Sequence, residues 1–346
     1  MKKNLLMMAA ATMLLTISCM KEEPPQVGEY QHKAGIETKA VLDKTPKLTV
    51  YVETNDVNPL NAMDYKIGNG CLIDRVNVFA ANIHKKTVNG VVEPVVYLND
   101  KLTPILENGG ADSYIWPLQQ QSIKVILTLL GDWQHIGLAN MTEDQQKMFV
   151  NELLYMRDIY GLDGFDFDDE YADYTSPAVN NTSYTGIISK LKEKDSSIML
   201  SAFDWGNTNT LSTAAVGVLD YGYHGHFGSY VENYSIVCHL DGIAKAKWSP
   251  LSLNLANNYN TTWIKNKAAE AKTSNYGALM CFNLRTIAEH SPLPIFQAMS
   301  NGAWGGQEVT CTGGNRPRPA AVPGGFSIDH ETAYNYLVAN NLPHFF

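Results

Sequence analysis

From residue 47 onward, apolar residues come in short, evenly spaced runs. These are Leu48–Val52, Val76–Ala80, Lys124–Leu130, Leu162–Asp168, Ile198–Phe203, Val218–Tyr221, Leu251–Leu255 and Ala278–Phe282. Several are nearly continuous Val, Ile, Leu and Phe, as strands buried on both faces require. Helical patterns lie between them. Thr142 with Gln145 three residues on makes a capping box, Phe149, Leu153, Met156 and Tyr160 recur at helical spacing, and Gly161 ends the pattern. A second helix is predicted over 262–271. Eight strands alternating with helices predict an α/β fold, a (β/α)8 TIM barrel forming a single domain over residues 47–346. No G-x-G-x-x-G follows a strand, so nothing marks a dinucleotide-binding pair of halves. Thr310–Gly325 is rich in Gly and Pro and reads as a loop.

The start of the chain is different. Lys2 and Lys3 precede an apolar run from Leu5 to Ile17, too short to span a bilayer as a helix. This is the pattern of a secretory signal over residues 1–18. Ser18-Cys19 resembles a bacterial lipoprotein cleavage site, which makes Cys19 the expected lipidation site. Residues 19–46 are polar, contain Pro24 and Pro25, and read as a flexible tether. Glu22 and Glu23 give it an acidic start similar to that of surface-exported lipoproteins. The expectation is an exported protein anchored through Cys19, at the outer membrane and cell surface of a bacterium, touching the membrane only through its lipid.

The composition narrows the partners. The chain has 346 residues, 45% hydrophobic and 18% charged, which fits a folded protein with a large core and excludes a disordered one. A net charge of -9 with no basic stretch argues against nucleic acid. Cys71, Cys238, Cys281 and Cys311 match no metal-ligand spacing. Export would permit one or two disulfides, with the pairing open, and Cys281 sits in an apolar run as a buried thiol would.

One segment carries chemistry: Gly161-Leu162-Asp163-Gly164-Phe165-Asp166-Phe167-Asp168-Asp169-Glu170-Tyr171. Asp166, Asp168 and Glu170 are two apart, so in a strand they share one face, and Phe165 and Phe167 take the other. On a barrel strand the acids would climb the interior to the C-terminal mouth, where active sites of this fold lie. Carboxylates this close cannot all ionise cheaply, so one is expected to keep a proton near neutral pH. An EF-hand calcium loop would need a glycine that the run lacks at the right place.

This run resembles the D-G-x-D-x-D-x-E signature of glycoside hydrolase family 18, with Asp163, Gly164, Asp166, Asp168 and Glu170 at the fixed positions. The longer string Leu162–Tyr171 is similar to the endo-β-N-acetylglucosaminidase branch of the endoglycosidase H type. Tyr51-Val52-Glu53 with Asn55, Phe79–Ile83, Lys124–Gly131, Gly137–Asn140, Asp220-Tyr221 with Gly228, and Phe282-Asn283-Leu284 extend the resemblance over roughly residues 48 to 287.

The resemblance implies a retaining, substrate-assisted hydrolysis of β-1,4 bonds next to N-acetylglucosamine, outside the usual two-carboxylate scheme. It implies that Glu170 is the general acid and then the base. It implies that Asp168 holds the 2-acetamido group and supports an oxazolinium intermediate, and that Asp166 sits deeper and tunes Asp168. No cofactor or metal is implied. The expected partners are N-linked glycans, cut between the two core N-acetylglucosamines, and the expected state is a monomer.

The family places an amide residue and then a Tyr after the sixth strand, where this chain has His224-Gly225-His226. A histidine N–H can donate the same bond, and Tyr223 or Tyr230 could supply a hydroxyl. Asp132 with Trp133, and Asp204 with Trp205, follow the third and fifth strands and are expected at the mouth. Glu53, Tyr171, Tyr221, Tyr223, His224, His226 and Asn283 complete the expected substrate contacts. The alternatives are a glycan-binding surface lipoprotein that has lost turnover, and a chitinase.

Overall fold

The computed structural model describes residues 44–285 and 291–346. Eight parallel strands form a curled ring: β1 (Lys47–Glu53), β2 (Arg75–Val88), β3 (Lys124–Gly131), β4 (Gly164–Asp168), β5 (Met199–Asp204), β6 (Tyr221–His224), β7 (Leu251–Asn254) and β8 (Ala278–Phe282). Neighbours in the chain pair in parallel from β1 to β6, and again from β7 through β8 to β1. The seam between β6 and β7 is thinner. It is held by a parallel bridge from Gly222 to Trp248 and by the Ser249 amide donating to the Gly222 carbonyl at 3.0 Å. The fold is the expected single-domain (β/α)8 barrel.

Local sequence explains the elements. Phe165 and Phe167 point outward from β4 and are fully buried, contributing roughly 2–3 kcal/mol apiece. They sit under a helical layer that includes α1 (Glu143–Tyr160), α2 (Ser183–Lys194), α3 (Thr261–Thr273) and α4 (Leu293–Ala303). The Thr142/Gln145 capping box opens α1, and Gly161, at φ 64°, closes it. Phe149, Leu153, Met156 and Tyr160 form its buried face.

β2 runs past the barrel and folds back as a hairpin with Val91–Leu98. Phe326–Asp329 then adds to the free edge of that hairpin, ahead of α5 (His330–Ala339).

Three boundaries differ from expectation. The sixth strand is 221–224, not 218–221, because Ser212 caps a short helix, Thr213–Val218, that absorbs the first part of the apolar run. The folded body begins by Lys44 rather than at residue 47. Lys44 is buried, pairs with Asp74 and lies 4.7 Å over the Trp304 ring, whose Nε1 donates to Pro46. The expected loop 310–325 starts as a strand, Val309–Cys311, in a small antiparallel sheet with Tyr65–Ile67 and Gly70–Cys71. Cys71, Cys238, Cys281 and Cys311 are free thiols, with Cys281 buried. The signal segment, Cys19 and nearly all of the tether lie outside the described residues.

Two residues of the acidic motif serve the scaffold. Asp163 accepts from the Val125 amide at 2.9 Å, from Gln119 Nε2 at 2.9 Å and from Lys124 Nζ at 2.7 Å, which fixes the start of β3 against β4. A Cβ on Gly164 would stand 1.8 Å from the Met199 carbonyl oxygen. Gly164→Ala should therefore force β4 from β5 and cost about 2–4 kcal/mol, read by urea unfolding. An unchanged midpoint would show that the β4–β5 contact has slack.

Candidate active site

Alternation along β4 turns Asp166 and Asp168 into the barrel, with Glu170 just past the strand end. Asp166 is fully buried. Its Oδ2 accepts from Tyr51 OH at 2.9 Å and Thr128 Oγ1 at 3.1 Å, and its Oδ1 accepts from Ser201 Oγ at 2.6 Å. Burial pushes its carboxyl up to about 6 against the pull of those donors. Asp168 is also buried, and its Oδ1 accepts from the Glu170 amide at 3.2 Å. Burial, followed by the charges of Glu170 and Asp166, holds its carboxyl well above the usual range. Glu170 is only half-buried, and burial raises it too. The row thus ends in an accessible acid over two shielded ones.

Asp169 braces the turn. It is buried and accepts from Tyr174 OH, the Asn207 amide and the Asn207 side chain. The loops after β3 and β4 are joined, Gly131 N to Glu170 O at 3.1 Å and Trp133 N to Tyr171 O at 2.8 Å. Trp133 and Tyr171 are 64% and 52% exposed, their ring centroids 6.2 Å apart. Both have left-handed backbones, φ 53° and 58°, a conformation that costs free energy and clusters at functional sites. They form an aromatic shelf beside the acid. On the neighbouring loop after β5, Trp205 is exposed and meets His226 edge-on at 5.8 Å.

Other expected residues fall at several depths. Asp132 is at the rim, bonded to His84 Nε2 at 2.6 Å. Glu53 ends β1, burial pushes its carboxyl up to about 7, and its Oε2 has no partner among the described residues. Asn283 has φ 65° and donates to Asn254 Oδ1 at 3.1 Å. His224 is fully buried on β6, where its Nε2 bonds the Pro250 carbonyl across the seam at 2.9 Å. Burial pushes His224 down to about 4, so it is neutral near pH 7 and Nε2 carries the donated hydrogen.

Tyr221 and Tyr223 are not at the mouth. With β6 starting at 221, Tyr221 lies at the barrel's lower end, and Tyr223 is buried inside, bonded to Thr49 at 3.0 Å. Tyr230 packs on Lys267, in the middle of α3, and on Tyr276, just past its end, rather than on the acids. Asp204 points outward from β5. Its Oδ1 accepts from Thr208 Oγ1 at 2.7 Å and its Oδ2 from the His239 amide at 2.8 Å, so it holds loops rather than facing the mouth. The sequence marks Tyr51 only as part of the family resemblance and gives no site role to it, Thr128, Ser201 or His84. Strand alternation alone marks Thr128 and Ser201 as inward, but only the register shows that they meet Asp166.

No family model matches the chain. It is 30% identical over 263 residues to endo-β-N-acetylglucosaminidase F1 of Elizabethkingia meningoseptica, covering 71% of this chain and 75% of that protein. It is 32% identical over 248 residues to an endo-β-N-acetylglucosaminidase of a Flavobacterium species, covering 69% and 75%. This chain belongs to the endo-β-N-acetylglucosaminidases of glycoside hydrolase family 18. Among solved structures, EndoBT-3987 of Bacteroides thetaiotaomicron, crystallised with a Man5GlcNAc product, is 25% identical with a TM-score of 0.67. That match covers 81% of this chain and 65% of the longer one. A family 18 chitinase from Pseudoalteromonas aurantia, 11% identical with a TM-score of 0.51 over 74% of this chain and 99% of that one, shares the fold.

As a glycoside hydrolase of this family, the enzyme should show its buried acid in its stability. Asp166 has a folded value near 6 against an ordinary 3.8. Its contribution is fully present below the unfolded value and is lost as pH rises through the folded one. Asp166→Asn should therefore flatten the fall in unfolding free energy between pH 4 and 7, by about 3 kcal/mol at most. Equal slopes in urea unfolding of both proteins would contradict this placement of the proton.

Proposed function

We propose that the enzyme cuts the β-1,4 bond in the N,N′-diacetylchitobiose core of N-linked glycans, with retention and with the substrate's own 2-acetamido group as nucleophile. The observation that supports this most is the Asp166–Asp168–Glu170 row, two buried acids beneath one accessible acid. Glu170 gives its proton to the glycosidic oxygen as the C1–O bond breaks. The acetamido carbonyl oxygen bonds to C1, and the resulting oxazolinium carries a positive charge. Asp168 accepts from the acetamido N–H and offsets that charge, while Asp166 shares its proton. Water then attacks C1, gives a proton to Glu170 and reopens the ring, restoring the original configuration. No step calls for a metal.

The shelf of Trp133 and Tyr171 offers a sugar face an apolar surface beside the acid. His226, edge-on to Trp205, is the candidate to hold the acetamido oxygen through a ring N–H. His224 is occupied at the seam. Because EndoBT-3987 was crystallised with Man5GlcNAc, a high-mannose glycoprotein is the first substrate to test.

Mass spectrometry of a glycoprotein with both high-mannose and complex glycans, before and after incubation with residues 20–346, should show release that leaves one N-acetylglucosamine on each asparagine. Glu170→Gln should lower the rate by at least about a thousandfold while glycan binding persists. Binding without release by the unaltered enzyme would instead support a lectin-like role.

We also propose that the protein is exported as a monomeric lipoprotein, tethered through Cys19 at the outer membrane and cell surface. The basic start, the short apolar run and Ser18-Cys19 support this. Cys19→Ala should leave activity intact and move the protein from the membrane to the soluble fraction. Unchanged fractionation would refute the lipid anchor.

A further inference from the structure

Beneath Asp166 the barrel holds a positive charge that the chemistry above does not use. Arg75 opens β2 and points inward, 3% exposed. Its Nε donates to Thr49 Oγ1 at 2.8 Å, and its guanidinium carbon lies 3.3 Å from the Tyr221 ring centroid. Its Nη2 is buried without a hydrogen-bond partner among the described residues. A guanidinium does not shed its proton. Burying one with no carboxylate bound to it costs stability that an apolar side chain would not.

Two short paths join this charge to the acids. Arg75 lines a small cavity with Ser201, and Ser201 Oγ donates to Asp166 at 2.6 Å. Thr49, which accepts from Arg75, also bonds Tyr223 OH at 3.0 Å. The Tyr223 ring meets Tyr51 edge-on at 5.8 Å, and Tyr51 donates to Asp166 at 2.9 Å. Nearby charges leave Arg75 uncancelled. Asp220 borders the same cavity but accepts from Lys192 at 3.0 Å and the Leu200 amide at 2.8 Å. Asp74 is matched by Lys44. What faces Asp166 from β1, β2, β3, β5 and β6 is neutral (Tyr51, Asn77, Thr128, Ser201 and Tyr223), and its own strand end adds Asp168, Asp169 and Glu170.

We propose that Arg75 is a positioning residue for the acid row, its buried charge one side-chain layer below holding the row's negative charge in place. The inference rests on the reading of Asp166 and Asp168 as the pair that carries one negative charge during turnover. Little water screens the two, so the coupling survives salt. Without Arg75 the pair should keep its last proton to higher pH, and the acid limb of kcat/KM should move up.

The test compares Arg75→Gln and Arg75→Met, which remove the charge, with Arg75→Lys, which keeps it. The readouts are the pH profile of kcat/KM on a high-mannose glycopeptide and a carboxyl carbon-13 NMR titration of the aspartates. Both charge-free variants should raise the acid limb and the NMR midpoint by about half to one pH unit. Arg75→Lys should stay within about 0.2 unit, and Arg75→Met should melt no lower than the parent. Unmoved limbs and midpoints with a lowered melting temperature would make Arg75 a packing residue and overturn the proposal. An NMR shift in an enzyme that releases no glycan at any pH would keep the coupling and count against the proposed reaction instead.

Discussion

A carboxylate at the centre of a barrel must find its donors there, and Asp166 takes them from three strands: Tyr51 on β1, Thr128 on β3 and Ser201 on β5. That set ties the ring to the chemistry. A slip of one residue in any of those strands would turn its donor outward and leave a buried acceptor unmet. With Asp166 fixed, the two-residue repeat of β4 leaves Asp168 and Glu170 no other side to occupy. The reactive end of the row is placed from below, by closed-barrel geometry, more than by the loops above it.

The thin seam and the bulge show the same dependence. β6 and β7 are too short to pair along their length, so His224 supplies a side-chain bond to Pro250 where a longer ladder would use backbone. Burial keeps that ring neutral, which lets a histidine sit in the wall without a counter-charge. In β2 the register shifts between Val78 and Ala81. Phe79 meets Tyr51 inside the barrel, whereas Asn82 and His84 face the rim, where His84 reaches Asp132.

Much of this was legible in the chain. Strands covered on both faces write unbroken apolar runs, so all eight were visible, and the acid row followed from spacing alone. The sixth strand reads three residues early in the sequence because Val218–Tyr221 looks the same at a helix end as at a strand start. That shift carried Tyr221 and Tyr223 to the mouth when they belong to the interior. Asp204 failed for a related reason: it ends its strand, but on the outward parity, which a motif-by-motif reading does not track. The donors to Asp166 are ordinary residues made important by register, and one chain without its pairing partners does not state a register. The family's amide and tyrosine positions mapped onto histidines with unlike environments, one walled in and one at the opening, a distinction that only burial reveals.

The last strand, Phe326–Asp329, lies along the hairpin strand Val91–Leu98, and α5 then clasps α1 through Tyr336 and Asp158 at 2.7 Å. Its partners on the hairpin include Val95, Val96 and Leu98, all buried. A chain clipped before Phe326 would bare those amides and carbonyls on an apolar ribbon, an invitation to other strands. Proteolysis there would be felt first as clumping of the protein, with the catalytic mouth itself still intact.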